Sequence, residues 1–329
     1  MKRFFAVIFI VCLLVSQFAL FASAASKPED KLIELINKKR TESGLFPLEK
    51  SELLTKASLN RAKELAVKYS STRPNGKDSF SALKEVGQSV KNTAYAFTKN
   101  QSPAEYFKTM TKDWAVFSKN TNTIGVAYYT KDKNTYCHIF TSPEVSTLDA
   151  EGWRWPVPDN LAIYSPYNYN VPSLSGKRSG DPHYGIDISK KASLKVVATR
   201  SGFVQKVVNN GETNGTACVV YLEHRVAGKT YYSSYWHLKS GSITVKKGQW
   251  VSRGTVIGIT GSTGKTNGAV HLHFMVSTNM LTYSKLRSTS INVNPLDNSL
   301  IKSNNPDKYS NKEICATAKG EKGLVYKNK

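Results

Sequence analysis

In the first half of the chain, hydrophobic positions recur with a helical period. The apolar residues of 31–40 form one stripe, and Gly44 is placed to end that helix. Ser51 is a candidate N-cap for a second helix. A third helix is predicted over 103–117, followed by strands at 123–129 and 136–140. This half is therefore predicted to combine helices with a small sheet.

From about residue 153 onward the hydrophobic period changes to two. Short alternating segments separated by turn residues predict strands at 195–199, 202–208, 217–224, 229–236, 242–245, 255–260 and 271–276. No helical pattern of useful length interrupts them. The whole chain is thus predicted to be a multidomain α+β protein, with an all-β second domain.

The first 24 residues have the pattern of a targeting segment. Lys2 and Arg3 precede an uncharged apolar run at 4–21, and small residues at 22–24 suit a cleavage site. An uncleaved anchor is the alternative, because about 20 apolar residues can span a bilayer. After it we expect a first domain at 29–143, an acidic linker at 144–152, a second domain at 153–298 and a basic tail at 299–329.

The net charge of +22 indicates an anionic partner for an exported protein. A cell wall rich in phosphate or carboxylate polymers is one such surface, and a merely solvated lysine-rich surface is the alternative. Lysines are scattered along the chain and no nucleic-acid motif accompanies them, so we expect no nucleic-acid partner. Cys137, Cys218 and Cys315 follow the targeting segment; a Cys218–Cys315 disulfide is left open, and at least one thiol stays unpaired.

The candidate chemistry is concentrated in a few short motifs of the second domain. His271 and His273 are two residues apart in a predicted strand, so both project from one face. Asp187 lies between two isoleucines, which puts its carboxylate on the polar face of a strand, and His183 precedes it by four residues. Two imidazoles and one carboxylate form a catalytic zinc site that keeps a fourth position for water. This set leaves His237 and His271 free for proton transfer or for oxyanion stabilisation.

Eight landmarks of this half occur in the order typical of lysostaphin-type zinc metallopeptidases. They are WPVP (155–158), HYGIDI (183–188), VVATRSG (196–202), YWHL (235–238), GQWVSRG (248–254), GSTG (261–264), HLHF (271–274) and NP (294–295). The stretch from 153 to 296 resembles that family of peptidoglycan endopeptidases, which have a small antiparallel β fold.

The resemblance implies a role for each residue of the motifs. His183, Asp187 and His273 would bind Zn²⁺, while His237 and His271 would be the catalytic histidines. A tyrosine would help to stabilise the oxyanion, and its candidates are Tyr169, Tyr184 and Tyr235. His224, at a hairpin end, is interpreted as structural.

The first domain resembles a bacterial CAP/SCP domain, an α-β-α sandwich of exported proteins. The matching segments are LIELIN (32–37), GLFPL (44–48), RAKEL (61–65), TRPNG (72–76) and IGVAYY (124–129). The cleft residues of that family are replaced: Ser71 stands where a histidine is expected, and the loop after Trp114 has none. We therefore interpret this domain as a wall-binding or partner-binding module, or as a cover for the peptidase, and its His138 as structural.

These observations predict a secreted, wall-associated zinc endopeptidase that cuts peptide cross-links or stem peptides of peptidoglycan. The alternative is a catalytically silent wall-binding or morphogenesis factor that uses the same fold as a scaffold. Peptidoglycan and anionic wall polymers are the expected partners, with a membrane only if the targeting segment is not cleaved.

Overall fold

A computed structural model describes residues 26–145, 151–160, 163–165, 185–189, 193–278, 280, 290–291, 313–316 and 324–327. For 163–165, 290–291, 313–316 and 324–327 it describes the backbone only. The targeting segment, His183, Tyr169 and Tyr184 lie outside the described residues. Within the described ranges, no helix combines the length and the apolar character needed to cross a membrane.

The described residues of the first half form four α-helices around a four-stranded sheet. The helices are α1 (Pro28–Glu42), α2 (Glu52–Leu65), α3 (Ser81–Glu85) and α4 (Pro103–Thr109). The strands are β1 (Glu49–Lys50), β2 (Ala94–Lys99), β3 (Thr123–Lys131) and β4 (Asn134–Ser142), in the order β1-β3-β4-β2. The predicted N-cap is confirmed, because Ser51 accepts a hydrogen bond from the Leu54 backbone N–H.

Alternation along β4 divides the core of this half between two groups of helices. Ile139 packs with Leu32 of α1, whereas the next residue, Phe140, packs with Leu54 of α2. Helix α2 lies very close to β3, since a Cβ on Gly125 would be 2.1 Å from the Leu54 carbonyl carbon. Glycine is therefore required at this crossing.

The predicted third helix is too long. Helix α4 begins with a capping box between Ser102 and Glu105 and ends at Thr109, because Met110 has an extended backbone (φ −77°, ψ 121°). A separate 3₁₀ turn follows at Ala115–Phe117. Trp114, between the two, packs edge-on against Tyr106 of α4 at 5.9 Å, a burial that a continuous helix would not provide. The sequence pattern also missed α3 and β2.

The second half is β-rich, as predicted. Its strands are β5 (Ile163–Ser165), β6 (Ile186–Ile188), β7 (Lys195–Val197), β8 (Gly202–Val208), β9 (Cys218–Val226), β10 (Lys229–Leu238), β11 (Trp250–Val251), β12 (Val256–Ile259), β13 (Leu272–Ser277) and β14 (Ser290–Ile291). The main antiparallel sheet has the order β11-β8-β9-β10-β13-β6-β5, with β14 also paired to β13, and β12 pairs with β7. One face of this sheet carries the larger hydrophobic core of the protein.

One expectation for this half is corrected. Residues 242–245 are not a strand; the Thr244 hydroxyl donates to the Val256 carbonyl at 2.8 Å, but the Ser242 hydroxyl turns back to Lys239. The basic tail contains two short paired strands, β15 (Glu313–Ala316) and β16 (Leu324–Lys327). Cys137 and Cys218 are buried free thiols.

The two halves meet at the edge of the large sheet. The Phe46 ring lies 5.1 Å from the Phe203 ring and 5.8 Å from the Trp250 ring, edge to face. The Arg225 guanidinium covers Phe46 at 4.6 Å and donates to the Asn122 side chain at 2.8 Å. This contact joins the first half to β8, β9 and β11.

Candidate active site in the second domain

The candidate site is built where β13 and β6 pair. The register places His273 opposite Asp187 and Leu272 opposite Ile188. Because side chains alternate along both strands, Leu272 and Ile188 enter the core. His273 and Asp187 therefore share the other face of the sheet.

His273 of β13 and His271, which directly precedes this strand, both approach the carboxylate of Asp187. His273 Nδ1 lies 2.9 Å from Asp187 Oδ1, and His271 Nε2 lies 3.9 Å from that oxygen. The side chains of His271, His273 and Asp187 are 18%, 11% and 15% exposed, so the group is set into the surface rather than enclosed. The two histidines lie on one face, as the alternation predicts.

His237 lies on the neighbouring strand β10, where a break in the regular pairing brings its ring close to His271 and His273. Trp236 on β10 pairs with His273, and the ladder to β9 shifts between Trp236 and Leu238. His237 itself has a φ of 63°, which is uncommon for a residue with a Cβ and has to be held by its surroundings. The ring centre of His237 lies 4.6 Å from that of His271 and 6.1 Å from that of His273.

Burial and two neighbouring imidazoles keep His237 neutral. Burial has the largest effect, His273 and His271 add to it, and together they lower the pKa of His237 from 6.5 to about 3. Its Nδ1 lies 2.6 Å from the Thr263 carbonyl oxygen. A carbonyl only accepts hydrogen bonds, so Nδ1 carries the proton and Nε2 has the free lone pair.

His271 has the same tautomer for the same reason. Its Nδ1 lies 3.0 Å from the carbonyl oxygen of Ala269, which can only accept. Its Nε2 lies 3.9 Å from Asp187 Oδ1. The site thus presents two imidazole rings beside one carboxylate.

The donor atoms at Asp187 suit a zinc ion. Tetrahedral zinc, with bonds of about 2.0–2.1 Å, holds neighbouring donor atoms roughly 3.3 Å apart. Asp187 Oδ1 and His273 Nδ1, at 2.9 Å, are close to that spacing. Over the ranges that the structure describes, no group of three or more His, Cys, Asp or Glu side chains is placed to hold a metal ion. The third predicted ligand, His183, lies outside those ranges.

Comparison with known families supports the sequence-based interpretation. Residues 181–285, which include all five predicted site residues, match the model of peptidase family M23. These residues form an M23 domain. The predicted lysostaphin-type metallopeptidase domain is thereby confirmed. Residues 33–142 match the CAP family, described as the cysteine-rich secretory protein family, as predicted for the first domain.

Several known proteins are similar to part of this chain. An uncharacterized metalloprotease of Haemophilus influenzae is 34% identical over 122 residues, 37% of this chain and 24% of that protein. The peptidoglycan DD-endopeptidase ShyA of Vibrio cholerae is 35% identical over 121 residues, 37% of this chain and 26% of that protein. A solved zinc-containing peptidase from Vibrio cholerae is 33% identical, covers 39% of this chain and 36% of its own, and has a TM-score of 0.32. This chain spans about a quarter of the length of the two curated relatives.

Of the three tyrosines considered as oxyanion donors, Tyr235 is excluded by its position in the M23 domain. It is fully buried on the core face, and its hydroxyl hydrogen-bonds Thr199 and Ser233 at 2.8 and 3.0 Å. Trp236, the next residue, occupies the face that carries His273. Tyr169 and Tyr184 lie outside the described residues.

The two remaining described histidines are buried. His224 in the M23 domain bonds the Ser233 hydroxyl at 2.7 Å and the Ser201 carbonyl at 3.0 Å, which fits its predicted structural role. Burial, together with Arg200, lowers the pKa of His224 to about 3 despite the bond to Ser201. His138 in the CAP domain packs among aromatic rings, 4.5 Å from Phe140, and burial lowers its pKa well below 6.5.

Sequence analysis missed an ion-pair network in the CAP domain. Arg73 binds Glu64 at 2.6 Å and Glu85 at 2.7 Å, and Arg61 also pairs with Glu64. Both arginines are buried. Burial alone would raise the pKa of Glu64, but hydrogen bonds from Arg73 and Arg61 outweigh it and lower that pKa. The RAKEL and TRPNG segments contain both arginines, but their pairing depends on the fold.

Proposed function

We propose that this chain is a secreted, zinc-dependent endopeptidase that hydrolyses peptide bonds in peptidoglycan cross-links or stem peptides. The observation that carries the proposal is the convergence of His237, His271, His273 and Asp187 at one edge of β13, inside an M23 domain. A relative named as a peptidoglycan DD-endopeptidase supports this substrate class.

In the proposed site, Asp187 and His273 would hold Zn²⁺ together with His183. The chemistry that zinc would supply there is a coordinated water with a pKa near neutrality and polarisation of the scissile carbonyl. Asp187 is also 3.9 Å from His271 Nε2, so it stabilises the imidazolium that forms when His271 takes a proton.

The proton movements are assigned from the tautomers. His271 accepts a proton at Nε2 and passes it to the leaving amine, while its Nδ1–H stays on the Ala269 carbonyl. His237 also presents a lone pair at Nε2, because Thr263 accepts from its Nδ1. In its neutral form His237 has no N–H to offer an oxyanion, which favours a role in proton transfer over the oxyanion role.

For the CAP domain we propose an α-β-α sandwich that binds the wall and does not cover the site. Helices packed against both Ile139 and Phe140 of one strand support the sandwich. The contact of Phe46 supports a CAP domain that lies away from the site. Phe46 packs on β8 and β11, and β13, which carries the site, lies four places from β11 in the sheet order. The basic charge supports attraction to an anionic wall at low salt.

The test is hydrolysis of purified peptidoglycan by the full chain, followed by mass spectrometry of the released fragments. We expect a chelator to stop the release and added zinc to restore it. Asp187→Ala should lose both hydrolysis and tight zinc binding, whereas Asp159→Ala, which removes an exposed carboxylate of the same half, should lose neither. Sedimentation with walls without any peptide release would instead identify the silent wall-binding factor.

A further inference from the structure

Thr263 connects three segments around His237. Its hydroxyl accepts a hydrogen bond from the Cys218 backbone N–H at 2.9 Å and donates to the Leu238 carbonyl at 2.7 Å. Its own carbonyl accepts from His237 Nδ1 at 2.6 Å. Thr263 is 6% exposed, so these bonds are shielded from competing water.

The direction of the Thr263 carbonyl is fixed by the turn that follows it. Gly264 has a φ of 82°, and a Cβ there would lie 2.7 Å from the Ala217 Cβ and 3.2 Å from His237 Nδ1. The Gly264 backbone is bonded on both sides, its N–H to the Glu212 carbonyl at 2.7 Å and its carbonyl to the Asn214 N–H at 2.6 Å. The loop between β8 and β9 thus clamps the turn against the bulge at His237.

We propose that Thr263 is a positioning residue that holds His237 in the Nδ1–H tautomer and so presents its Nε2 lone pair to the site. A neutral imidazole carries one N–H, and the Thr263 carbonyl can bond to His237 only by accepting it. His237 lies among two other imidazoles in a partly buried site, which favours the neutral ring. The Thr263 hydroxyl is hydrogen-bonded to both β9 and β10, and this keeps the Thr263 carbonyl within hydrogen-bonding distance of His237 Nδ1.

The catalytic consequence rests on the proposed function, but the tautomer does not. If His237 acts as a proton acceptor, loss of the anchor should lower kcat more than it changes KM, because substrate contacts remain. Partners that orient a functional histidine typically contribute about 10–100-fold. The tautomer can be read directly, with no substrate present.

The experiment is ¹⁵N NMR of the full chain labelled in the histidine rings, with the His237 signals identified by their loss in His237→Gln. In the native protein, His237 should show a protonated Nδ1 and an unprotonated Nε2. Thr263→Val removes both hydroxyl hydrogen bonds and should yield a mixture with the Nε2–H tautomer. Thr263→Ser keeps the hydroxyl and should restore the native spectrum and kcat.

Gly264→Ala is a second variant that leaves Thr263 intact and displaces its carbonyl, so it should also mix the tautomers. A native His237 in the Nε2–H form would overturn the proposal, as would native tautomers in both Thr263→Val and Gly264→Ala. If Thr263→Val does not fold, the native spectrum and Gly264→Ala decide alone. Correct tautomers in a protein that hydrolyses no peptidoglycan would refute the proposed function and leave this inference standing.

Discussion

The two halves of this protein each contain a cluster of ionisable side chains, and the clusters are organised in opposite ways. In the CAP domain, Arg73 lies between two carboxylates and Arg61 shares one of them, so positive and negative groups are matched. In the M23 domain, the described part of the site gathers three imidazoles, of His237, His271 and His273, near the carboxylate of Asp187.

The difference distinguishes a structural cluster from a functional one. A matched network satisfies its own hydrogen bonds, so it can stabilise a fold and has no capacity left for a ligand. A group of imidazoles beside a carboxylate can instead bind a metal ion or transfer protons. The replaced CAP cleft and the retained M23 site are consistent with this contrast.

The largest effects are expected from the histidine pair. His271→Ala should keep the zinc and lose most hydrolysis, by about 10²–10⁴-fold, because a proton acceptor is removed. His273→Ala should lose both hydrolysis and zinc, because a ligand is removed. Zinc by elemental analysis and peptide release from peptidoglycan separate the two roles. A metal-free His271→Ala would show that the roles are reversed.

Mutations in the ion-pair network of Arg61, Arg73, Glu64 and Glu85 in the CAP domain should lower stability and leave activity unchanged. Arg73→Ala removes a buried guanidinium and leaves Glu64 and Glu85 underpaired, which should cost about 2–3 kcal/mol of unfolding free energy because Glu64 is partly solvated. Lys50→Ala breaks the exposed pair with Asp30 and should cost at most about 1 kcal/mol. Urea unfolding of the full chain measures both, and cleavage of a soluble peptide should stay unchanged. Equal costs would contradict the structural role of the network.

Acid should destabilise both halves as pH falls below 6.5, because each contains a buried histidine with a lowered pKa, His138 in the CAP domain and His224 in the M23 domain. The folded pKa of His224 is about 3 against 6.5 unfolded, so the unfolded M23 domain binds more protons and stability falls as pH drops from 6.5 toward 3. Glu64 has a lowered folded pKa, so its contribution is present above the ordinary 4.5 and is lost only as pH falls through that lowered value.

Limited proteolysis across this pH range, with fragments mapped by mass spectrometry, should show both domains losing protection below pH 6.5, and the CAP domain losing more of it below pH 4.5. Glu64→Gln should weaken the acid response of the CAP domain alone. Full protection of either domain down to pH 4.5 would contradict the assignment.

The smallest effect on catalysis is expected from separating the halves. A fragment of residues 151–298 contains all five site residues and should still cleave a soluble peptide, with weaker release from intact walls. Phe46→Ser removes the ring packed on Phe203 and Trp250, so it should also weaken release from intact walls, but less than the truncation does. Trp250→Ser is the matched change on the M23 side of the same contact and should have the same effect. Faster cleavage of soluble peptide by either variant would show that the CAP domain is a lid.

The sequence by itself determined the two domain types and the set of candidate site residues. Alternation placed His271 and His273 on one face and Leu272 in the core, since strand geometry has a fixed period of two. The order of the short motifs was sufficient to indicate the family of each half, and residues 181–285 and 33–142 match those families.

Only the tertiary structure decided how those residues are held. The bulge at His237, its bond to Thr263 and the exclusion of Tyr235 depend on contacts between strands that lie far apart in the chain. The same holds for the network of Arg61 and Arg73, and for the early end of α4. Local patterns determine which face a side chain takes, whereas hydrogen-bond partners and tautomers depend on groups that meet only when the chain folds.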